Sequence, residues 1–402
     1  MSSDNAESEY LFLMLCFIGA FAILSSTMSK NPVLNPFAES LGTPEALMGF
    51  VAAASTLPGI MISLPIGSLS DIIGRKKVLL ASMIVFASAP FFYVLINSWW
   101  QLILVRFYHG FATAIFVPVA RAAIAEIYTS RKGEKISTFT SATIVGRGIA
   151  PFLGGFILSL TYWNYQMLYL AVGASGIISL LTTLVAFKGN SMKEKDSSDA
   201  GNHLRERRTD SPKGWISVLS NASVLVASTT EAAARYVYGA LEFFFVGYMK
   251  NVALLDPSLI GTIMGMQLIL IPIVNPFMGR LSDSLGRKIV IVAGLIISGL
   301  PLIAVPYTTQ FLSFLVISTA FGLGFSMIIS STPALVGDLV RKDSYGTAMG
   351  FLATIMDVGQ MLGPIATGFI LATFGYSGSF LSLGAILLAV CVFFGVYQKI
   401  HS

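Results

Sequence analysis

Apolar residues run along this chain in long blocks, not in the short alternations of strands or the narrow stripes of soluble helices. Twelve blocks stand out, with soft edges, at 10–37, 46–69, 78–96, 101–126, 137–160, 167–187, 216–248, 258–280, 289–307, 311–339, 347–374 and 379–397. They are runs 1 to 12 below. Each is long enough to cross a hydrocarbon core of ~30 Å as a helix. The pattern predicts an all-α integral membrane protein with twelve transmembrane helices. One stretch interrupts it. Residues 188–214 are rich in Lys, Glu, Asp, Ser and Arg, so they cannot bury a core and read as a solvated linker. That linker separates an N-terminal six-helix bundle, 1–187, from a C-terminal one, 215–402.

Composition agrees. The 402 residues are 55% hydrophobic and 11% charged, with a mean hydropathy of +0.77, too apolar for a soluble chain of this length. The net charge of +5 raises the question of a nucleic-acid partner, and its distribution answers it. With the N-terminus inside, nineteen of the 25 Lys and Arg fall in cytoplasmic segments and only Lys250 in an outer loop. This bias places both termini in the cytoplasm of a multi-pass cell-membrane protein and accounts for the charge without nucleic acid. Residues 1–9 contain Asp4, Glu7 and Glu9 but no Lys or Arg. The basic flank of a secretory signal is missing, so run 1 is expected to remain a span. Cys16 and Cys391 both lie inside runs and provide neither a disulfide framework nor a metal spacing. No cofactor or metal is expected.

The halves repeat. The stretch 67–77, "GSLSDIIGRKK", returns from Gly279 as "GRLSDSLGRKI". Asp71, Gly74, Arg75 and Lys76 map onto Asp283, Gly286, Arg287 and Lys288 at an offset of 212, as does Glu126 onto Asp338. Pro151, Gly155, Phe156 and Ile157 map onto Pro364, Gly368, Phe369 and Ile370 at 213. Two parallel six-helix halves related about the membrane normal are a transporter plan. Within the charged turn, Gly74 supplies the positive φ that a tight connection needs. Asp71 is expected near the positive end of a helix. Arg75 is expected to reach Glu126, with Asp283, Arg287 and Asp338 repeating the arrangement. Lys76 and Lys77 read as topology anchors.

On these residues the chain resembles the major facilitator superfamily over essentially its whole length. The turn at 67–77 resembles that family's signature between helices 2 and 3. By resemblance, Asp71, Arg75 and Glu126, with Asp283, Arg287 and Asp338, would form a cytoplasmic charge network that locks the outward-open state. Leu102-x-x-x-Arg106-x-x-His109-Gly110 resembles the helix 4 motif of the drug–proton antiporter branch, whose Arg is linked to proton coupling; His109 stands where Gln is usual. Gly146-x-x-x-Ala150-Pro151-x-x-Gly154-Gly155 resembles the antiporter motif of helix 5, with Ala150 in place of Gly and Arg147 unexpected within it. Run 1 lacks the mid-depth carboxylate that many drug–proton antiporters carry.

Ionisable residues inside the runs are the candidate chemistry, because each costs a few kcal/mol at membrane depth. In run 7, Arg235 falls about 40° and Glu242 about 20° from Glu231 at ~100° per residue. One face therefore carries all three and must turn from lipid. Glu231 is the candidate proton-coupling group, or else a self-neutralising pair with Arg235. In run 4, Arg106, His109 and Arg121 share an arc of about 120°, while Glu126 points elsewhere. His109 is a candidate titrating group or a hydrogen-bonded packing residue. Arg147 and Asp357 are near mid-depth with no evident partner.

The expected function is secondary transport by alternating access, with two bundles rocking about a midplane site. The leading expectation is proton-coupled efflux of a small amphipathic organic compound by a monomer, with the proton gradient as energy source. The alternative is an organic anion or metabolite held by Arg106, Arg147 or Arg235 and moved in either direction. A membrane sensor or an intramembrane enzyme is the competing class. Against the enzyme, His109 is the only histidine within a run, and no nucleotide loop is present.

Overall fold

The computed structural model describes residues 3–62, 65–128, 131–188, 218–341 and 344–400. The described residues form α-helices in the order α1 (Ser3–Met28), α2 (Leu34–Ser40), α3 (Glu45–Ala53), α4 (Leu57–Ile62), α5 (Pro65–Ile73), α6 (Arg75–Leu95), α7 (Trp99–Ile127), α8 (Lys132–Leu160), α9 (Tyr165–Ala186), α10 (Ala222–Asn251), α11 (Pro257–Leu285), α12 (Arg287–Ala304), α13 (Phe311–Leu339) and α14 (Tyr345–Ile400). Among the described residues, ten segments are long and apolar enough to cross a membrane. Two more spans follow on inspection. α10 is 30 residues long and falls short of that apolarity because of its internal charges. α14 has 56 residues, or ~84 Å of helix against a ~30 Å core. Gly375 breaks it at φ 65°, dividing it into the two spans expected as runs 11 and 12.

Boundaries shift where proline or glycine acts. Run 1 was expected to continue to 37, but α1 ends at Met28 and the chain turns before α2. Pro32 lacks the N–H that a continuing helix would use. Run 2 is interrupted at 54–56, between α3 and α4, just ahead of Pro58.

The chain packs as two compact units. Unit 1 comprises Met1–Gly42 and Ala54–Arg207, and unit 2 comprises Thr43–Ala53 and Arg208–Ser402. The expected linker 188–214 lies outside the described residues except for Lys188. The expectation assigned all of run 2 to the first bundle; by packing, α3 belongs to unit 2. The reason is a close backbone contact. A Cβ on Gly49 would collide with the Pro364 carbonyl, and Phe50 meets Phe369 edge-on at 6.2 Å between ring centres.

Inside unit 1, Phe86, Phe116 and Phe139 form the middle of an apolar core shared by α1, α6, α7 and α8. Many apolar residues remain outside it, Leu104, Phe156, Ile289 and Val316 among them. Such a surface suits acyl chains. Tight seams hold the helices. In unit 1, a Cβ on Gly146 of α8 would collide with the Ala20 carbonyl of α1. In unit 2, a Cβ on Gly359 of α14 would collide with the Ala232 carbonyl of α10, and one on Gly363 with that of Tyr236. Without an oil–water driving force between spans, such close approach supplies the dispersion contacts that hold helices together in lipid.

Candidate functional site

The charged turn of unit 1 builds a closed network. Gly74 sits at φ 98° between α5 and α6, which delivers Arg75 as the first residue of α6. Its Nε donates to Glu126 Oε2 at 2.7 Å and its Nη2 to Glu126 Oε1 at 2.6 Å. Nη2 also reaches Asp71 Oδ1 at 2.6 Å, and Nη1 donates to Ser70 Oγ at 2.8 Å. The fork on Glu126 ties α6 to the last turn of α7 through two charge-assisted bonds. Asp71 meets Arg75 itself at the start of α6. The arginine side chain is 13% exposed, the two acids 44% and 48%.

Unit 2 repeats the geometry in a looser form. Gly286 is at φ 94°; Arg287 Nε donates to Asp338 Oδ2 at 3.1 Å, and Nη1 pairs with Asp283. Asp338 is one methylene shorter than Glu126 and receives one bond where Glu126 receives two. Ser70 was not singled out from the sequence. The repeat contained its signal, since Leu-Ser-Asp recurs at Leu281-Ser282-Asp283.

A second cluster is buried in unit 1. Arg106 on α7 is 2% exposed, and its Nη2 donates to Ser55 Oγ at 2.5 Å. Its Nε has no partner, and no described carboxylate forms an ion pair with it. His109 is equally buried, its Nδ1 lies 3.3 Å from the Tyr93 hydroxyl, and its ring packs edge-on against Phe86 and Tyr93. Tyr93 stacks flat on Tyr169 at 4.4 Å. The sequence reading missed Ser55, Tyr93 and Tyr169, which lie in different runs and carry no charge. Arg121, on the same arc of α7, is instead exposed, with Nη2 3.5 Å from Thr140 Oγ1. Arg147 of α8 is also exposed, whereas Gly146, Pro151, Gly154 and Gly155 of the same helix are all buried.

Unit 2 holds a third cluster, around α10. Glu231 is fully buried, with Arg235 Nη2 at 3.6 Å from its Oε1. Neither carboxylate oxygen completes a hydrogen bond; the nearby Thr332 hydroxyl of α13 stops short of ordinary geometry. The Arg235 guanidinium lies 5.3 Å from the centre of the Phe325 ring, a cation–π arrangement. Phe325 in turn stacks with Tyr238 at 4.7 Å. Asp357 of α14, half-buried, is within electrostatic reach of Arg235. The Gly359–Ala232 seam makes this possible by holding α14 against α10 two residues away. Glu231, Arg235 and Glu242 all avoid the exposed surface, as the wheel implied. Phe325, Tyr238 and Thr332 were not anticipated. The only signal was the spacing of Phe321 and Phe325, which stack one turn apart.

These paired turns, glycine seams and buried charges in twelve spans match a known family. The model of the Major Facilitator Superfamily matches residues 15–253 and 230–401. This chain belongs to the major facilitator superfamily. The superfamily's members to which it is similar include an uncharacterized transporter of this type from Methanocaldococcus jannaschii, 24% identical over 378 residues, covering 92% of this chain and 93% of that protein. They also include the quinolone resistance protein NorA of Staphylococcus aureus, 24% identical over 390 residues, covering 95% of this chain and 94% of that protein. In fold it resembles a bacterial homolog to the human lysosomal transporter Spinster, with a TM-score of 0.78 at 16% identity over 97% of both chains. The major facilitator protein described here is therefore a multi-pass membrane transporter for a small molecule. The intramembrane-enzyme reading is set aside.

Proposed function

We propose that this major facilitator protein exports small amphipathic organic compounds in exchange for protons, by alternating access, with the proton gradient as its energy source. It acts as a monomer in the cell membrane, with both termini cytoplasmic. The observation that carries the coupling is Glu231, a fully buried carboxylate whose nearest cation is Arg235 at 3.6 Å and whose oxygens lack hydrogen bonds. A proton arriving on Glu231 cancels the charge facing Arg235. The guanidinium then retains the Phe325 ring and Asp357 as its favourable neighbours. Loss of the proton restores the first pair. Arg235 thus has two alternative settings whose balance follows protonation, the bistable element that coupling requires. Tyr238, half-buried and stacked on the buried Phe325, offers a flat ring to an aromatic cargo. Export is supported by the antiporter-like seam at Gly146, Pro151, Gly154 and Gly155, and by the similarity to a quinolone resistance protein. The Asp71–Arg75–Glu126 and Asp283–Arg287–Asp338 networks serve as gates in this scheme.

A second reading has its own observation. Arg106 and Arg147 form no ion pair with any described residue, so each is available to an organic anion. Proteoliposomes separate the two. Under an imposed pH gradient, a panel of aromatic amphiphiles should move opposite to protons. Glu231→Gln should lower that proton-driven flux at least tenfold while leaving substrate counterflow intact. Normal coupling in Glu231→Gln removes Glu231 from the mechanism. Proton-linked movement of small carboxylates alone favours the anion reading.

A further inference from the structure

Unit 1 contains a cavity of about 320 Å³ that the transport scheme does not use. It lies where the first turns of α6 meet the end of α9, lined by Lys76, Leu80, Thr183, Leu184, Phe187 and Lys188. α6 begins at Arg75 and α9 ends at Ala186, so the cavity is at the ends of two spanning helices, at the depth of the membrane–water boundary.

Its lining has two characters. Lys76 Nζ donates to the Phe187 carbonyl at 2.6 Å and sits 5.8 Å from the centre of the Phe187 ring. This bond pairs a helix-end carbonyl and holds the ammonium at the rim. An ammonium has three N–H donors and the carbonyl takes one, leaving two for a ligand. Lys188, at the other side of the rim, is exposed. No ion pair between described residues involves either lysine. Leu80, Leu184 and the Phe187 ring form the apolar wall. From that wall an exposed apolar strip continues along the spans, through Ile84 on α6 and Leu181 and Ile177 on α9.

We propose that this cavity binds the headgroup of an anionic phospholipid. The phosphate sits between Lys76 and Lys188, and the acyl chains follow the strip on α6 and α9. Two cations with no carboxylate among the described lining residues repel the amine of a zwitterionic lipid and attract a net negative headgroup. The apolar wall and the strip give the chains a surface that a soluble phosphate would not use. Lys76, which the sequence presented only as a topology anchor, thus holds a helix end and a lipid together.

The test uses the full-length protein in nanodiscs of equimolar phosphatidylglycerol and phosphatidylcholine, with lipids retained after gentle release counted by native mass spectrometry. The wild type should retain phosphatidylglycerol in excess. Lys188→Gln should lower that enrichment about fivefold, the worth of one surface lysine, and Lys76→Gln in addition by about as much again. Leu184→Trp fills the cavity from its exposed side without changing charge and should also remove the enrichment. Lys132→Gln, exposed at the start of α8, should leave it unchanged. The proposal fails if Lys132→Gln lowers enrichment as much as Lys188→Gln, because the effect is then diffuse surface charge. It fails equally if Leu184→Trp changes nothing, or if soluble sn-glycerol 3-phosphate displaces the lipid.

Discussion

In unit 1, Gly146 of α8 lies against the Ala20 carbonyl of α1. In unit 2, 212 to 213 residues further on, Gly359 of α14 lies against the Ala232 carbonyl of α10. The backbone contact is the same, made twice. The charges around it are not. The positions of Glu231, Arg235 and Asp357 correspond in unit 1 to Gly19, Ile23 and Ile144. The reverse holds one helix pair away. Arg106 donates to Ser55 in unit 1, and the same two positions in unit 2 are Ser318 and Gln267, joined by a neutral hydrogen bond of 3.1 Å. Packing in lipid imposes small residues on both seams, because two backbones meet there in either unit. An ionisable group inside a span is costly, so duplication does not preserve it where it does no work. Each unit keeps its buried charge in a different place.

Five variants, two pairs and one single substitution, sharpen or break this comparison. The largest effect is expected at the seams. Gly146→Val and Gly359→Val each force side-chain atoms into a backbone, an overpacking cost of about 3 kcal/mol or more. Both should sharply lower the midpoint of thermal unfolding in detergent. If only one of them does so, the seams are not equivalent. A smaller effect of opposite sign is expected at Arg106. Its buried guanidinium has one hydrogen bond and no ion pair with a described residue, and replacing buried charge by an apolar group of similar volume is commonly neutral or stabilising, by about 1–4 kcal/mol. Arg106→Met should therefore unfold at the wild-type temperature or above, yet transport at least tenfold more slowly. A lower unfolding temperature would make Arg106 a structural residue and erase the contrast with Ser318. The smallest effect separates the two charged turns. Arg75→Ala loses a fork, a serine and an aspartate, about 2 kcal/mol, while Arg287→Ala loses fewer and more exposed bonds, about 1 kcal/mol. Equal losses in thermal unfolding would mean that the second turn is as well knit as the first.

Much of the site was readable before folding, and the unread part has a pattern. Arg75 with Glu126 and Arg287 with Asp338 were legible because the repeat presented both pairs at one offset, and because a turn between adjacent spans leaves little freedom of placement. Glu231 with Arg235 was legible from helical spacing alone. What escaped was contributed by neutral side chains from other parts of the chain: Ser55 beneath Arg106, Tyr93 and Tyr169 around His109, Phe325 beside Arg235 and Thr332 near Glu231. Such residues carry no charge to flag them. Their partners are 16 to 101 positions away, and no periodicity within one run reports on another. Arg121 shows the converse. It shares an arc of α7 with Arg106, but near the end of a 29-residue helix that arc no longer faces protein.

The sequence by itself determined the number of spans, the division into two related halves and the chemistry of the charged turns. A bilayer admits only unbroken apolar runs, and a duplicated unit carries its turn with it. Only the tertiary structure decided which buried groups meet, that Thr43–Ala53 packs with the second unit, and that Lys76 closes the end of α9 beside a cavity. These depend on how each helix is rotated and how closely its neighbour approaches. An almost uniformly apolar run barely encodes its own rotation, because lipid and protein interior are alike to it until helices touch.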